Sequence, residues 1–251
     1  SKGQYDEAIK NLEQSLTMRK LIYKDQPHPG IATSLGNIGF AYNSKGQYDE
    51  AIKYLEQSLT MEKKIYKDQT HPDIASSLGN IGSAYLSKGH YDEAIKYLEQ
   101  SLTIRKLIYK DQPHPDIANS LTNIGGAFAE KCQFRKAIKY YKQALGVLHV
   151  VFKDQPHPDI ADLMKNMGNV YASVGENKEA INFYEQSLAM DRQMKGHEIN
   201  LTVSRLLIDI GFACQRSRQR TKAIAYLTEA FSNLDFISYR YKLSKSKAMQ
   251  K

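Results

Sequence analysis

Bulky apolar residues recur along this chain at helical spacing. In one stretch they stand at Ile31, Leu35, Ile38 and Tyr42, which are four, three and four positions apart. That spacing gathers the four side chains into one stripe along an α-helix. A second stripe of the same kind runs through residues 48–69, after a break at a Lys-Gly-Gln turn. The pattern therefore predicts a pair of helices, which we call helix A and helix B.

The helix pair recurs every 43 residues. The sequence YDEAIKYLEQSLT is found at Tyr48 and again at Tyr91, and a close copy begins at Tyr5. A fixed period without insertions is typical of stacked units that contact only their neighbours. Helices A are predicted to begin near Ile31, Ile74, Ile117, Ile160 and Val203. Helices B are predicted to begin near Tyr5, Tyr48, Tyr91, Phe134, Asn177 and Arg220.

One elongated array is therefore expected over residues 1–236. It opens with a half unit over residues 1–30, and units follow that start near residues 31, 74, 117, 160 and 203. Residues 237–251 break the repeat and are predicted to form a basic C-terminal extension. Because Ser1-Lys2-Gly3 matches Ser44-Lys45-Gly46, the chain is expected to be part of a longer array.

The run LGNIGFAYNSKGQYDEAI, from Leu35 to Ile52, resembles the tetratricopeptide repeat family. The 43-residue unit with its HPD loop is similar to the kinesin light chain and nephrocystin-type subgroup. The resemblance implies an all-α fold, a right-handed superhelical solenoid of antiparallel helix pairs. The chain departs from the family pattern at Cys132, where Gly is expected, and at Asn177 and Arg220, where an aromatic residue is expected.

Helices A differ from helices B in charge. The A segments 31–44 and 74–87 contain no charged residue, although a solvated helix face is usually rich in Lys and Glu. Opposite the apolar stripe, the first of these helices carries Thr33, Asn37 and Phe40. In tetratricopeptide proteins the A helices line the concave side, so the resemblance implies that this stripe faces a peptide-binding groove.

An asparagine ladder runs through this stripe. An Asn side chain offers two donors and an acceptor, which match the N–H and C=O groups of a peptide backbone. The alternative is that each Asn bonds only to the adjacent helix and stabilises the stack. The ladder consists of Asn37, Asn80, Asn123 and Asn166, and Asp209 occupies the next equivalent position.

Toward the C-terminus the same stripe gains charge. Lys165 and Asn169 resemble the first pair of the carboxylate clamp of chaperone-binding tetratricopeptide domains, but the remaining clamp residues do not follow. The basic groove residues that kinesin light chains use for acidic peptides are largely missing from the first three units. Ligand side-chain preference is assigned to Phe40, Ser83, Lys165, Asn169, Arg205 and Phe212.

Catalysis, cofactors and metals are not predicted. The repeated histidines His28, His71, His114 and His157 are interpreted as loop and helix-start residues. A shared zinc ion would need every donor within about 2.1 Å, whereas neighbouring units are about a helix diameter apart. No phosphate loop or nucleophile–base arrangement stands out from the repeat.

The predicted role is a non-catalytic scaffold that binds an extended peptide of a protein partner. Three alternatives remain open: self-assembly through the repeat ends, binding of nucleic acid or anionic surfaces through the net charge of +8, and a regulatory domain attached to an enzyme. Nucleic acid and membrane are the less favoured partners. The two cysteines form no C-x-x-C pair, which favours an intracellular, cytoplasmic setting.

Overall fold

The computed structural model of the protein describes residues 2–67, 69–196 and 199–248. Over those residues it contains eleven α-helices and no strand, which confirms the predicted all-α class. Helices A are the even-numbered helices and helices B are the odd-numbered ones. The helices are α1 (Lys2–Ile22), α2 (Pro29–Lys45), α3 (Tyr48–Tyr66), α4 (Pro72–Lys88), α5 (Tyr91–Ile108), α6 (Pro115–Glu130), α7 (Phe134–Phe152), α8 (Pro158–Ser173), α9 (Asn177–Lys195), α10 (Leu201–Arg216) and α11 (Arg220–Ala248).

The chain divides into two compact units, residues 1–147 and residues 148–251, and the division falls within α7. In the first unit each of α2 and α4 packs between two B helices, and α6 packs on α5. The A helices also touch side by side, α2 with α4 and α4 with α6. In the second unit α8 and α10 both pack on α9, and α10 also packs on α11.

Four of the A helices begin at a proline that follows a histidine. Each histidine accepts a hydrogen bond at Nδ1 from the backbone N–H two residues later, over 3.0–3.2 Å. Its ring also stacks on an aromatic ring at the end of the preceding B helix, with centroids 3.4–3.6 Å apart. The helix-start role predicted for His28, His71, His114 and His157 is confirmed.

The A helices begin two residues earlier than the apolar stripe predicts, at Pro29 rather than Ile31 in the first of them. Proline fits the first helical position because its missing N–H would have no partner there. The histidine before it occupies the N-cap position. The B helices from α3 onward begin at the predicted residues.

The turns from helix A to helix B need a left-handed backbone. Gly46, Gly89 and Gly175 adopt it with φ of 83–84°. Cys132 and Arg218 take the same conformation with φ of 56° and 61°. A side chain in this region costs about 1 kcal/mol, so the turn geometry is kept where the family glycine is missing.

Within each pair, helix A approaches helix B at a glycine. A Cβ atom added to Gly82 would lie 2.7 Å from Leu98 Cγ and 3.1 Å from the backbone oxygen of Ala94. Farther from the turn, Ser101 Oγ donates to the backbone oxygen of Ala75 over 2.7 Å, so the two helices run antiparallel. The equivalent contacts are Gly39 with Leu55, Gly125 with Tyr141, Gly168 with Tyr184 and Gly211 with Leu227.

The first and last helices differ from the others. Ile9 and Leu16 of α1, which packs on α2, are buried, while Met18, Leu21 and Ile22 are exposed. The last helix, α11, continues into the predicted C-terminal extension as far as Ala248. Residues 249–251 of that extension lie outside the described residues, and the predicted division at residue 236 stays a prediction.

The glycine contact predicts opposite effects for two substitutions in α4. Gly82→Ala is expected to lower the free energy of unfolding by about 1–3 kcal/mol, because the new methyl group would overlap Leu98. Gly79→Ala is the control, since its Cβ would make ordinary van der Waals contacts, with Ser101 Oγ at 3.5 Å and Arg105 Nη2 at 3.9 Å. The control is expected to be neutral or to stabilise by up to about 1 kcal/mol through helix propensity. Urea unfolding followed by circular dichroism measures both, and equal losses would contradict the proposed overlap.

The histidine cap predicts a second matched pair. His114→Ala is expected to reduce stability by about 1 kcal/mol, because the N–H of Asp116 loses its acceptor and Tyr109 loses its stacking partner. His90→Ala is the control, because His90 precedes α5 without making a capping hydrogen bond. A loss as large in His90→Ala as in His114→Ala would show that the cap is not responsible.

Candidate functional site

The exposed side of the A helices in the first unit lies opposite the glycine contacts. Asn80 precedes Gly82 by two positions, which is about 200° around an α-helix. The glycine faces helix B, so the asparagine faces away from it and is exposed. We define the A-helix face as the side of α2, α4 and α6 that carries Thr33, Asn37, Phe40, Ser76, Asn80, Ser83 and Asn123.

The asparagines of this face have free amide groups. Asn37, Asn80 and Asn123 are exposed, and none of the three side chains makes a hydrogen bond to any other described residue. Phe40 is 65% exposed, which is unusual for an aromatic side chain in a helix. Ser83 is half-buried, and its Oγ donates to the backbone oxygen of Gly79 over 3.0 Å. The face therefore presents unused polar groups and one apolar ring.

A cavity of about 250 Å³ opens on this face between α2 and α4. Asn37 and Phe40 line it from one helix, and Asn80 and Ser77 line it from the other. Glu62 of α3 also lines the cavity. The structure thus brings three of the predicted site residues, Asn37, Phe40 and Asn80, to one place.

Glu62 is the functional candidate that the sequence analysis missed. It is only 6% exposed, and its Oε1 accepts a hydrogen bond from Ser77 Oγ at 2.9 Å. Ser58 Oγ lies 3.1 Å from the same oxygen and shares its one hydroxyl proton with the backbone oxygen of Ala32, which is 2.7 Å away. Its Oε2 is buried without a hydrogen-bond partner. Burial raises the pKa of this carboxyl group, and the charge of Asp73 adds to the rise, while the two serine hydrogen bonds oppose it.

A signal for Glu62 was present in the repeat. The equivalent positions one unit before and one unit after it hold Arg19 and Arg105. A change from a basic to an acidic residue within nearly identical repeats marks a position where the copies differ in chemistry. The helical stripes do not reveal it, because this position lies on helix B, on the side that faces the next A helix.

The second unit brings together a different set of residues. Lys165 Nζ lies 2.8 Å from Asp162 Oδ1, and Tyr184 Oη donates to Asn169 Oδ1 over 2.8 Å. Burial raises the pKa of Asp209, and the nearby charge of Lys165 opposes the rise. Burial raises the pKa of Tyr184 as well, and the charge of Asp209 adds to it.

The remaining predicted residues of the second unit differ in exposure and in their partners. Arg205 and Phe212 of α10 are exposed, whereas Asn166 of α8 is half-buried and has no hydrogen-bond partner among the described residues. The clamp-like pair Lys165 and Asn169 is already engaged, by Asp162 and Tyr184. A carboxylate ligand would have to compete with those contacts.

Larger cavities lie between the B helices of the first unit. One of about 650 Å³ separates α3 from α5, and its walls include Ile74, Leu78 and Ile104. Two further cavities of about 420 and 380 Å³ lie beside equivalent residues one unit earlier and one unit later. Because they recur with the repeat period, they follow from the spacing of the B helices and do not single out one site.

The described residues form neither a metal cluster nor a membrane-spanning helix. No group of three or more His, Cys, Asp or Glu side chains is arranged there to hold a metal ion. None of the helices there is both long and apolar enough to cross a membrane.

The burial of Glu62 predicts a pH-dependent stability. Its folded-state pKa lies above the ordinary 4.5, so the ionised carboxylate destabilises the fold progressively as the pH rises through the folded-state value. Glu62→Gln is expected to stabilise by about 1 kcal/mol at neutral pH, and the gain is expected to shrink toward about pH 4. Thermal unfolding at both pH values measures the difference.

The control for this prediction is Glu50→Gln, on the same helix at an exposed position. It is expected to change stability by less than about 0.5 kcal/mol at either pH. A neutral or destabilising Glu62→Gln at neutral pH would contradict the unfavourable burial of the charge.

Family models of the tetratricopeptide repeat match residues 1–64, 30–107 and 163–198. No curated protein sequence matches the chain. Among solved structures, BtubC (BKLC) from P. vanneervenii superposes with a TM-score of 0.80 at 19% identity, covering 93% of this chain and 92% of that one. A kinesin light chain from Podosopora anserina with nearly identical TPR-like repeats gives a TM-score of 0.69 at 22% identity, covering 82% and 96%.

The quorum sensor NprR from B. thuringiensis, in its apo form, gives a TM-score of 0.67 at 19% identity, over 91% of this chain and 60% of that one. At these identities the structures show a shared fold alone. Arrays of this fold generally bind protein partners, which suggests an interaction scaffold. The matching family models cover more than half of the chain and agree with the 43-residue helix pairs and the glycine contacts. The chain therefore belongs to the tetratricopeptide repeat family.

Proposed function

We propose that this protein is a non-catalytic scaffold that binds an extended peptide segment of a protein partner along its A-helix face. The observation that carries the proposal is the set of exposed asparagines, Asn37, Asn80 and Asn123, which have no partner among the described residues. The amides of this face are exposed and uncommitted, and they match the donors and acceptors of a polypeptide backbone.

The chemistry of the asparagines supports this ligand. Each side-chain amide can donate two hydrogen bonds and accept others, as a peptide group requires. Packed helices lie about 8–10 Å apart, and an extended peptide rises about 3.3 Å per residue. Asparagines on successive A helices would therefore meet about every third residue of an extended ligand.

Neighbouring residues would set the side-chain preference of the ligand. Phe40 offers an exposed ring beside Asn37, and Ser83 lies one turn from Asn80. In the second unit the corresponding proposal involves Asn166 with Lys165, Asn169, Arg205, Asp209 and Phe212.

The alternatives have less support. A purely structural role for the asparagines predicts hydrogen bonds to adjacent helices, and the described residues provide none for Asn37, Asn80 or Asn123. Self-assembly through the repeat ends and binding of nucleic acid or anionic surfaces stay predictions from the sequence. Binding that falls steeply with added salt would point to the last of these.

The proposal predicts that Asn80→Ala with Asn123→Ala weakens peptide binding by roughly 10- to 30-fold, because two backbone hydrogen-bonding sites of about 1 kcal/mol each are lost. The probe is a 12-residue peptide selected from a phage-displayed random library on the immobilised wild-type protein. Fluorescence anisotropy of the labelled peptide gives the dissociation constants.

The control is Asn11→Ala with Gln14→Ala, which removes two exposed amides from a B helix. It should bind like the wild type, and all three proteins should share one circular dichroism spectrum and one melting midpoint. Unchanged affinity in the Asn80/Asn123 variant would contradict the binding role and favour a structural role for the asparagines.

A further inference from the structure

We propose that the cavity between α2 and α4 is a binding pocket for a cationic side chain, lysine or arginine, of the bound peptide. The inference rests on the proposed function, because it assigns one subsite of the same face. It specifies one side chain of the ligand, whereas the asparagines alone would bind the backbone of any peptide.

The first argument is the unpaired oxygen of Glu62. The side chain is more than nine-tenths buried, and it lines the cavity at the end of the α3 contact with α4. Oε1 accepts a hydrogen bond from Ser77, whereas Oε2 is buried and has no hydrogen-bond partner. A buried carboxylate is unfavourable until a donor or a cation meets it. Among the described residues no lysine or arginine lines the cavity, so the chain itself does not provide the cation.

The second argument is the rest of the cavity wall. Asp73 stands at its edge, where it accepts a hydrogen bond from Tyr66 Oη over 2.6 Å. Phe40 presents an exposed ring, which attracts cations through its π face. The amide oxygens of Asn37 and Asn80 are further acceptors. Every group in this set is compatible with a cation, and an anionic side chain would face two carboxylates.

The neighbouring repeat carries a cationic residue at the position equivalent to Glu62. Arg105, one unit after Glu62, donates from Nη1 to the backbone oxygen of Asp116 at 2.7 Å and to Ser120 Oγ at 3.1 Å. Ser120 is the equivalent of Ser77, which donates to Glu62 instead. Equivalent positions therefore hold the guanidinium group of Arg105, which bonds within the chain, and the carboxyl group of Glu62, which has one oxygen without a partner. A cationic side chain of the ligand would provide the missing partner for Glu62.

The positive net charge of the chain makes selection of a cationic peptide residue a specific test of the pocket. At +8 the protein as a whole attracts anions, so selection of a cationic peptide residue must come from a local site. Only one oxygen of Glu62 lacks a hydrogen-bond partner, and this disfavours the two-point pairing that arginine makes with a carboxylate. We therefore expect lysine to be selected over arginine.

The test is a phage-displayed library of random 12-residue peptides, selected in parallel on wild type, Glu62→Gln, Glu62→Arg and the exposed control Glu50→Gln. Wild type and Glu50→Gln are expected to enrich peptides with lysine at one fixed position. Glu62→Gln is expected to lose that enrichment while keeping peptide binding. Glu62→Arg, which copies the neighbouring repeats, is expected to lose it as well and to accept acidic residues there.

The outcomes separate this inference from the proposed function. If wild type selects no peptides at all, both fail. If wild type selects peptides without a cationic position, or if Glu62→Gln keeps the same position, peptide binding stands and the pocket inference is overturned. Circular dichroism spectra that match the wild type, together with one cooperative melting transition, show that each variant is folded.

A double-mutant cycle with one selected peptide completes the test. Replacing its lysine by glutamine is expected to weaken binding to wild type about 10-fold or more, and to Glu62→Gln less than about 2-fold. Glu50→Gln should reproduce the wild-type loss. Equal losses on wild type and Glu62→Gln would mean that the lysine binds elsewhere.

Discussion

The close contact between a glycine of helix A and a leucine or tyrosine of helix B underlies the rest of this structure. In the pair α4 and α5 there is no room for a Cβ at Gly82, because Leu98 lies against it. This contact sets both the distance between the two helices and the rotation of helix A about its axis. Since Asn80 lies about 200° around the helix from Gly82, packing the glycine inward turns the asparagine outward. The exposed amides are therefore a geometric consequence of the core contact.

Local chemistry at the helix ends makes the units equivalent. The His-Pro start combines a capping acceptor, a residue without an N–H and an aromatic stack within three residues, for example at His114. The turn from helix A to helix B keeps a left-handed residue even where Cys132 replaces glycine. The turn conformation is thus imposed by the packing of the two helices on either side and survives an unfavourable residue.

Specific chemistry appears where the copies differ. Most residues of the array repeat with the unit and explain its packing, and the cavities between the B helices recur in the same way. Glu62 stands between Arg19 and Arg105 in the repeat, and its carboxylate lines a cavity beside Asn37 and Asn80. Asp209, in place of the ladder asparagine, is half-buried near Lys165 and Tyr184. Positions at which the repeats carry different residues therefore distinguish one part of the array from the next.

The amino-acid sequence by itself determined the helices, their pairing and the outward direction of the asparagines, because periodicity, caps and glycines are local or recur at fixed spacing. It predicted the start of α3 at Tyr48 and placed the start of α2 near Ile31, two residues after the observed start at Pro29, which follows the capping residue His28. Only the tertiary structure decided which side chains share a cavity. Glu62 comes from a B helix and Asn37 and Asn80 from two different A helices, so their meeting depends on helix packing. The engagement of Asn169 by Tyr184 is of the same kind. Neither contact follows from spacing along the chain, because each depends on the distance and rotation between helices that the glycine contacts set.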